Sequence, residues 1–168
     1  MTAGATYTPI ATTTLGSAQA TVIFSSISQA YTDLVIVTNF AMSANNQYAH
    51  YVQVNGDTGS NYSRTILYGD GSDDGSAKQS NNPSMYFGTW NTDMDTTDRA
   101  VTTIFFNNYS NTTTYKTAIG RWNVASKEVG AGVGLWRSAD AITSINLSAN
   151  STTYIVGSTF TLYGIQAA

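Results

Sequence analysis

The sequence LWRSADAITSINLSANSTTYIVGSTFTLYGIQAA, residues 135–168, decides the fold class. It contains two strand-length runs, residues 141–149 and 158–165. They are separated by the polar turn Asn150-Ser151-Thr152-Thr153 and a Gly157-Ser158 corner, which is how antiparallel strands are joined. The chain is therefore expected to close on sheet.

Working outward, residues 129–137 (VGAGVGLWR) set Val129, Ala131, Val133 and Leu135 against Gly130, Gly132, Gly134 and Trp136. One side is aliphatic and the other nearly bare, and a bare glycine face lets a backbone, a large aromatic or a partner chain approach closely. Residues 33–41 (DLVIVTNFA) are apolar on both faces through Val37, as a central strand requires. Residues 20–25, 48–55, 62–68, 85–90, 100–109 and 115–123 read as further short strands. The turn signal Asn55-Gly56-Asp57 marks residues 62–68 as the return strand of residues 48–55. Residues 69–83 (GDGSDDGSAKQSNNP) hold no hydrophobic residue larger than Ala77, and a stretch with nothing to bury predicts a long exposed loop. Residues 7–15 alternate weakly around Pro9, which cannot donate to a ladder and marks an edge or a strand start. Eight to eleven such strands predict an all-β fold, a two-sheet antiparallel sandwich, jelly-roll-like. The expected organisation is an N-terminal arm, residues 1–14, and a single β-sandwich domain, residues 15–168.

Composition narrows the function classes. The 168 residues include no cysteine, so disulfides, thiolate zinc sites and cysteine nucleophiles are excluded. Glu128 is the only glutamate, helix-building residues are scarce, and Thr, Ser, Asn, Gly and Tyr are abundant, which favours strand over helix. A net charge of −3, unclustered, gives no footprint for nucleic acid. Neither a secretory signal nor a membrane segment is visible, so synthesis in the cytoplasm is expected.

Little in the sequence converges on chemistry. His50 is the only histidine and stands in a strand interior, where a packing or hydrogen-bonding role outweighs catalysis. Asp57, Asp70, Asp73, Asp74, Asp93, Asp95, Asp98 and Asp140 fall mainly in loops, which select aspartate for backbone reasons, although paired acids across a groove would suit glycoside hydrolysis. Residues 91–98 carry Asp93, Asp95 and Asp98 at spacings that could converge on calcium, but the turn glycine and terminal glutamate of a hand-type loop are missing. Gly69-Asp70-Gly71-Ser72 is followed by no GK[ST], so phosphate cradling is not expected. Asn-x-Ser/Thr triplets at Asn61, Asn108, Asn111, Asn146 and Asn150 follow from composition. Aromatics are numerous, among them Tyr48, Tyr51, Tyr62, Tyr68, Tyr86, Trp90, Tyr109, Tyr115, Trp122, Trp136, Tyr154 and Tyr163. They could close the core edges, stack on sugars or sit at subunit interfaces. No catalytic residue, cofactor or metal site is assigned.

The segments YTPIATTTLGSA (7–18), YTDLVIV (31–37), VNGDTGSNYS (54–63), LYGDGS (67–72), WRSADAITSINLS (136–148) and FTLYGI (160–165) resemble a family of small tailed-bacteriophage virion proteins that end in a Thr-Leu-Tyr-Gly-Ile strand. The resemblance touches most of the chain, but its motifs are strands and turns and specify fold better than task. It implies a β-sandwich surface component of the virion, either a capsid decoration (cement) protein or a fibre or tail-tip module that binds a receptor or glycan. No coiled-coil, collagen-like or β-helical shaft is present, which favours head decoration. The expected partner is the major capsid protein or another virion subunit, and the expected assembly is a homotrimer whose residues 1–14 contact a neighbour or the shell. A glycan-cleaving enzyme is the third possibility.

Overall fold

Side chains that alternate between apolar and hydroxyl-bearing at every second residue fit a half-buried pleated surface. The computed structural model describes residues 6–43, 46–47, 50–88, 93–94, 97–125, 127–149 and 151–166. Strands and no helix are found among them. In chain order these are β1 (Tyr7–Thr14), β2 (Thr21–Phe24), β3 (Asp33–Phe40), β4 (Asn46–Gln47), β5 (His50–Val54), β6 (Tyr62–Gly69) and β7 (Asp74–Asn82). They are followed by β8 (Met85–Phe87), β9 (Asp93–Met94), β10 (Ala100–Asn107), β11 (Lys116–Val124), β12 (Glu128–Trp136), β13 (Ile145–Ala149) and β14 (Thr159–Ile165).

Two antiparallel sheets face each other. The larger has eight strands in the order β1-β14-β3-β10-β11-β12-β6-β7, and the smaller has four in the order β2-β13-β5-β8. A two-residue ladder joins β4 to β9. This is the all-β two-sheet sandwich expected from the sequence, jelly-roll-like in that the chain crosses repeatedly from one sheet to the other. The core lies between the sheets, with Leu34, Ile36, Ile104 and Phe160 from the larger meeting Val52, Val54, Ile145 and Leu147 from the smaller, all fully buried. As its doubly apolar pattern predicts, β3 is an interior strand, paired on one side with β14 and on the other with β10.

Several local readings change. The two C-terminal runs are not paired with each other, because β13 belongs to the four-stranded sheet and β14 to the eight-stranded one. Each has one apolar face, and burying both faces is achieved by stacking the strands across the core. Similarly, Asn55 and Gly56 adopt left-handed conformations (φ 54° and 68°) and Asp57 N–H donates to the Val54 carbonyl at 3.0 Å. That turn leads from one sheet to the other, since β6 pairs with β12 and β7 and not with β5.

Residues 69–83 are not a long loop. Asp74–Asn82 forms the edge strand β7, and only residues 70–73 turn, held by Asp70 Oδ1, which accepts the amides of Ser72 and Asp73 at 2.8 and 2.7 Å. A polar edge strand needs only a ladder partner on one side, so the lack of large apolar residues did not forbid it. At the other edge, Tyr7–Thr14 pairs with β14, with a register shift between Pro9 and Ala11. The described part of the expected arm is therefore docked as β1, and Pro9 lies on an edge strand as its missing donor requires.

Candidate functional site

On the outer face of the larger sheet, apolar residues line up across strands. Ladder pairing places Tyr163, Val35, Phe105, Ile119, Val133 and Thr65 in one transverse row over β14, β3, β10, β11, β12 and β6. The adjoining row carries Val37, Thr103, Arg121, Ala131 and Leu67, and the one beyond it Asn39, Val101, Asn123 and Val129. Arg121 is the charged residue in the middle of these rows, and on the edge strand β7 the first row continues to Lys78, opposite Thr65, and the third through Gly69 to Asp74.

Exposure concentrates on three neighbouring strands. Leu67 is 65% exposed, Val129 61%, Ile119 54% and Val133 48%, although aliphatic side chains of this size are usually buried. A shallow depression of about 230 Å³ lies among Thr65, Leu67, Ile119, Ala131 and Val133. Removing these side chains from water would be worth about 1 kcal/mol each at half exposure.

The reason they point outward lies on the inner face. A Cβ at Gly120 would overlap the Phe87 ring and one at Gly130 the Trp122 indole. One at Gly132 would come within 2.6 Å of Ile66 Cγ2, and one at Gly134 within 2.6 Å of Met85 Sδ. The space beneath β11 and β12 is filled by large side chains from β8, β6 and β11. Close approach by an aromatic was one of the readings open for the glycine face, and Trp122 makes it.

The polar groups buried near this filling are tied to structure. Trp122 Nε1–H donates to Glu128 Oε1 at 2.6 Å and Trp136 Nε1–H to Asp57 Oδ2 at 2.6 Å. Burial works against the Asp57 charge, but donors from Trp136, Asn61 and Gly59 outweigh it and hold the carboxyl below its ordinary range. Backbone donors from Asp73 and Ser72 depress Asp70 in the same way. Arg64 is buried with its guanidinium 3.1 Å from the Tyr86 ring centroid, and its Nη1 donates to the Gly88 carbonyl at 3.0 Å. Lys116 is buried and donates to the carbonyls of Thr114 and Ala139 at 2.7 and 3.0 Å, and burial pushes its pKa down against the pull of Asp140.

His50 sits inside the sandwich on β5. Its Nδ1 shares a 3.0 Å hydrogen bond with the Tyr154 hydroxyl, its ring stacks on Phe40 with centroids 4.9 Å apart, and burial lowers its pKa to about 3. Of the acids considered for calcium, Asp95 and the side chain of Asp93 lie outside the described residues, whereas Asp98 is ion-paired with Lys127 at 3.0 Å. Asp140 Oδ2 accepts from Ser138. Among the described residues no three metal-ligating side chains converge. Tyr62, Tyr109, Tyr154, Trp122 and Trp136 are buried, and Tyr7 and Tyr115 are the strongly exposed aromatics among the described residues. Tyr48 and Trp90 lie outside them.

Fold and surface together define a β-sandwich whose larger sheet presents an open aliphatic face. Compared with known proteins, the chain matches no family model and no curated protein.

Proposed function

We propose that this chain is a structural protein of a phage virion, a decoration (cement) protein that binds the outer surface of the head shell as a homotrimer. The observation that carries this reading is the aliphatic face of the eight-stranded sheet, with Leu67, Ile119 and Val129 more than half in water and Val133 nearly so. A contiguous apolar surface of this kind marks a place where another protein binds. The resemblance of segments such as YTPIATTTLGSA and FTLYGI to small virion proteins supplies the setting. In this reading the major capsid protein is the partner, and the N-terminal segment through Thr14 contacts a neighbour or the shell from the sheet edge formed by β1.

The test is the position of the chain in a density map of the intact particle. Decoration predicts copies on the outer head surface touching the major capsid protein. Density at the tail tip, or a head that lacks the chain, overturns it in favour of a receptor-binding module or a non-virion role.

A further inference from the structure

We propose that the Asn55-Gly56 peptide is a modification site that the fold keeps closed. Its side-chain amide survives while the sandwich is intact and is lost by deamidation once the chain opens, after which the native state is no longer fully regained. The pair is the only Asn-Gly in the sequence, every other asparagine being followed by a residue that carries a side chain. Glycine leaves its backbone nitrogen unhindered, and that nitrogen is the nucleophile. Gly56 N attacks Asn55 Cγ, the N–Cγ bond forms as the Cγ–Nδ2 bond breaks, and the nitrogen's proton leaves with ammonia. Water then opens the cyclic imide at one carbonyl or the other, giving aspartate or its isomer with the main chain running through Cβ and Cγ.

The structure holds the reactants apart. Asn55 and Gly56 both have positive φ, 54° and 68°, as in the mirror-image form of a type I turn, and Asp57 N–H closes the turn on the Val54 carbonyl. Ring closure requires Gly56 N to rotate about the Asn55 Cα–C bond until it lies over Cγ, which undoes that turn. The amide is meanwhile committed to another part of the chain. Nδ2–H donates to the Ala141 carbonyl at 2.8 Å, and Oδ1 accepts the Thr143 and Ser144 amides at 2.8 and 3.2 Å and the Thr143 hydroxyl at 3.2 Å. With its own N–H on the Ser144 carbonyl at 3.0 Å, Asn55 stands in for a strand partner just ahead of the β13–β5 ladder, which begins at Ile145 and Val54. The same segment is gripped from the other side. Ile142 is fully buried with its N–H on the Tyr109 carbonyl at 2.9 Å, and Ile27 N–H donates to the Thr143 carbonyl at 3.0 Å. Freeing the amide therefore means lifting residues 141–144 from their places, which is a local unfolding event.

An acid at position 55 does not refit. The oxygen that replaces Nδ2 would face the Ala141 carbonyl with no proton to share, and the isomer lengthens the main chain inside a closed turn. Chains modified while open are thereby withdrawn from the native pool, so that unfolding becomes irreversible with time.

Peptide mass mapping over time tests this on the full-length wild type, held at neutral pH in buffer and, in parallel, in enough guanidinium chloride to unfold it. The peptide holding Asn55 should show the amide-to-acid mass gain in denaturant, and show it at least about 10-fold more slowly in buffer. A smaller ratio, or a faster gain in buffer, overturns the inference. Asn55→Asp should raise the unfolded-to-folded ratio at least about 10-fold at neutral pH. Wild-type chains aged in denaturant and then diluted into buffer should leave the acid form enriched in the fraction that fails to refold, a measurement that stands even if the variant does not fold. Aged chains that refold as completely as fresh ones, or an Asn55→Asp chain as stable as the wild type, overturn the proposed loss of the native state.

Discussion

On β12 the positions facing the four-stranded sheet are Gly130, Gly132, Gly134 and Trp136, whereas those facing away are Val129, Ala131, Val133 and Leu135. The usual alternation would put the aliphatic set inside. Here the interior over β12 already holds Trp122, Ile66 and Met85, and only residues without a side chain leave room for them. A slip of one residue would exchange the two sets. It would drive Val129, Ala131 and Val133 into space already filled, so packing inside fixes what the outside displays.

The interior should therefore be intolerant where the outer face is forgiving. The largest expected effect is on the pH dependence that buried His50 confers. Its folded pKa of about 3 lies below the ordinary 6.5, so the unfolded chain binds a proton that the native one refuses. Stability is complete above pH 6.5, declines as pH falls, and is lower by roughly 3 kcal/mol at pH 4. Urea titrations from pH 7 to 4 should show that slope in the wild type and its loss in His50→Phe. Asp57, whose depressed pKa makes its contribution fade only as pH falls below its ordinary 3.8, adds nothing in that window.

Next is Gly130→Val, which forces a branched side chain onto the Trp122 indole. It should cost about 2–3 kcal/mol by denaturant titration at neutral pH. A neutral result would mean that the interior is loosely filled and the comparison of faces fails. Trp136→Phe removes the donor to Asp57 and should cost about 2 kcal/mol at neutral pH, a deficit that narrows as pH falls below 3.8, where the contribution of Asp57 fades in the wild type. The smallest effect belongs outside: Val133→Thr, measured on dilute monomer, should change stability by less than about 0.5 kcal/mol. A larger loss there would show that the outer face already takes part in monomer packing.

Legibility in the sequence followed the range of the interaction. The strands at residues 33–41, 100–109, 115–123 and 129–137 and the edge position of Pro9 were readable because alternation and proline chemistry act within a few residues. The partners of residues 141–149, 158–165 and 62–68 were not, because a turn signal states that the chain bends without stating which sheet it enters. Strand β7 was missed because an edge strand is held by backbone bonds to β6, to which side-chain hydrophobicity gives no clue. The aliphatic and glycine sides of residues 129–137 were both visible in the sequence, but which of them faced water was not.

The sequence by itself determined that this protein is built of strands, without cysteine chemistry, and that one strand has an aliphatic and a glycine side. Those properties follow from side-chain size, branching and spacing along the chain. Only the tertiary structure decided that the glycine side turns inward, because the decision belongs to Trp122, Ile66 and Met85, which reach the same space from three other strands. The same packing lays the outward residues of six strands side by side, making a surface that no segment carries alone.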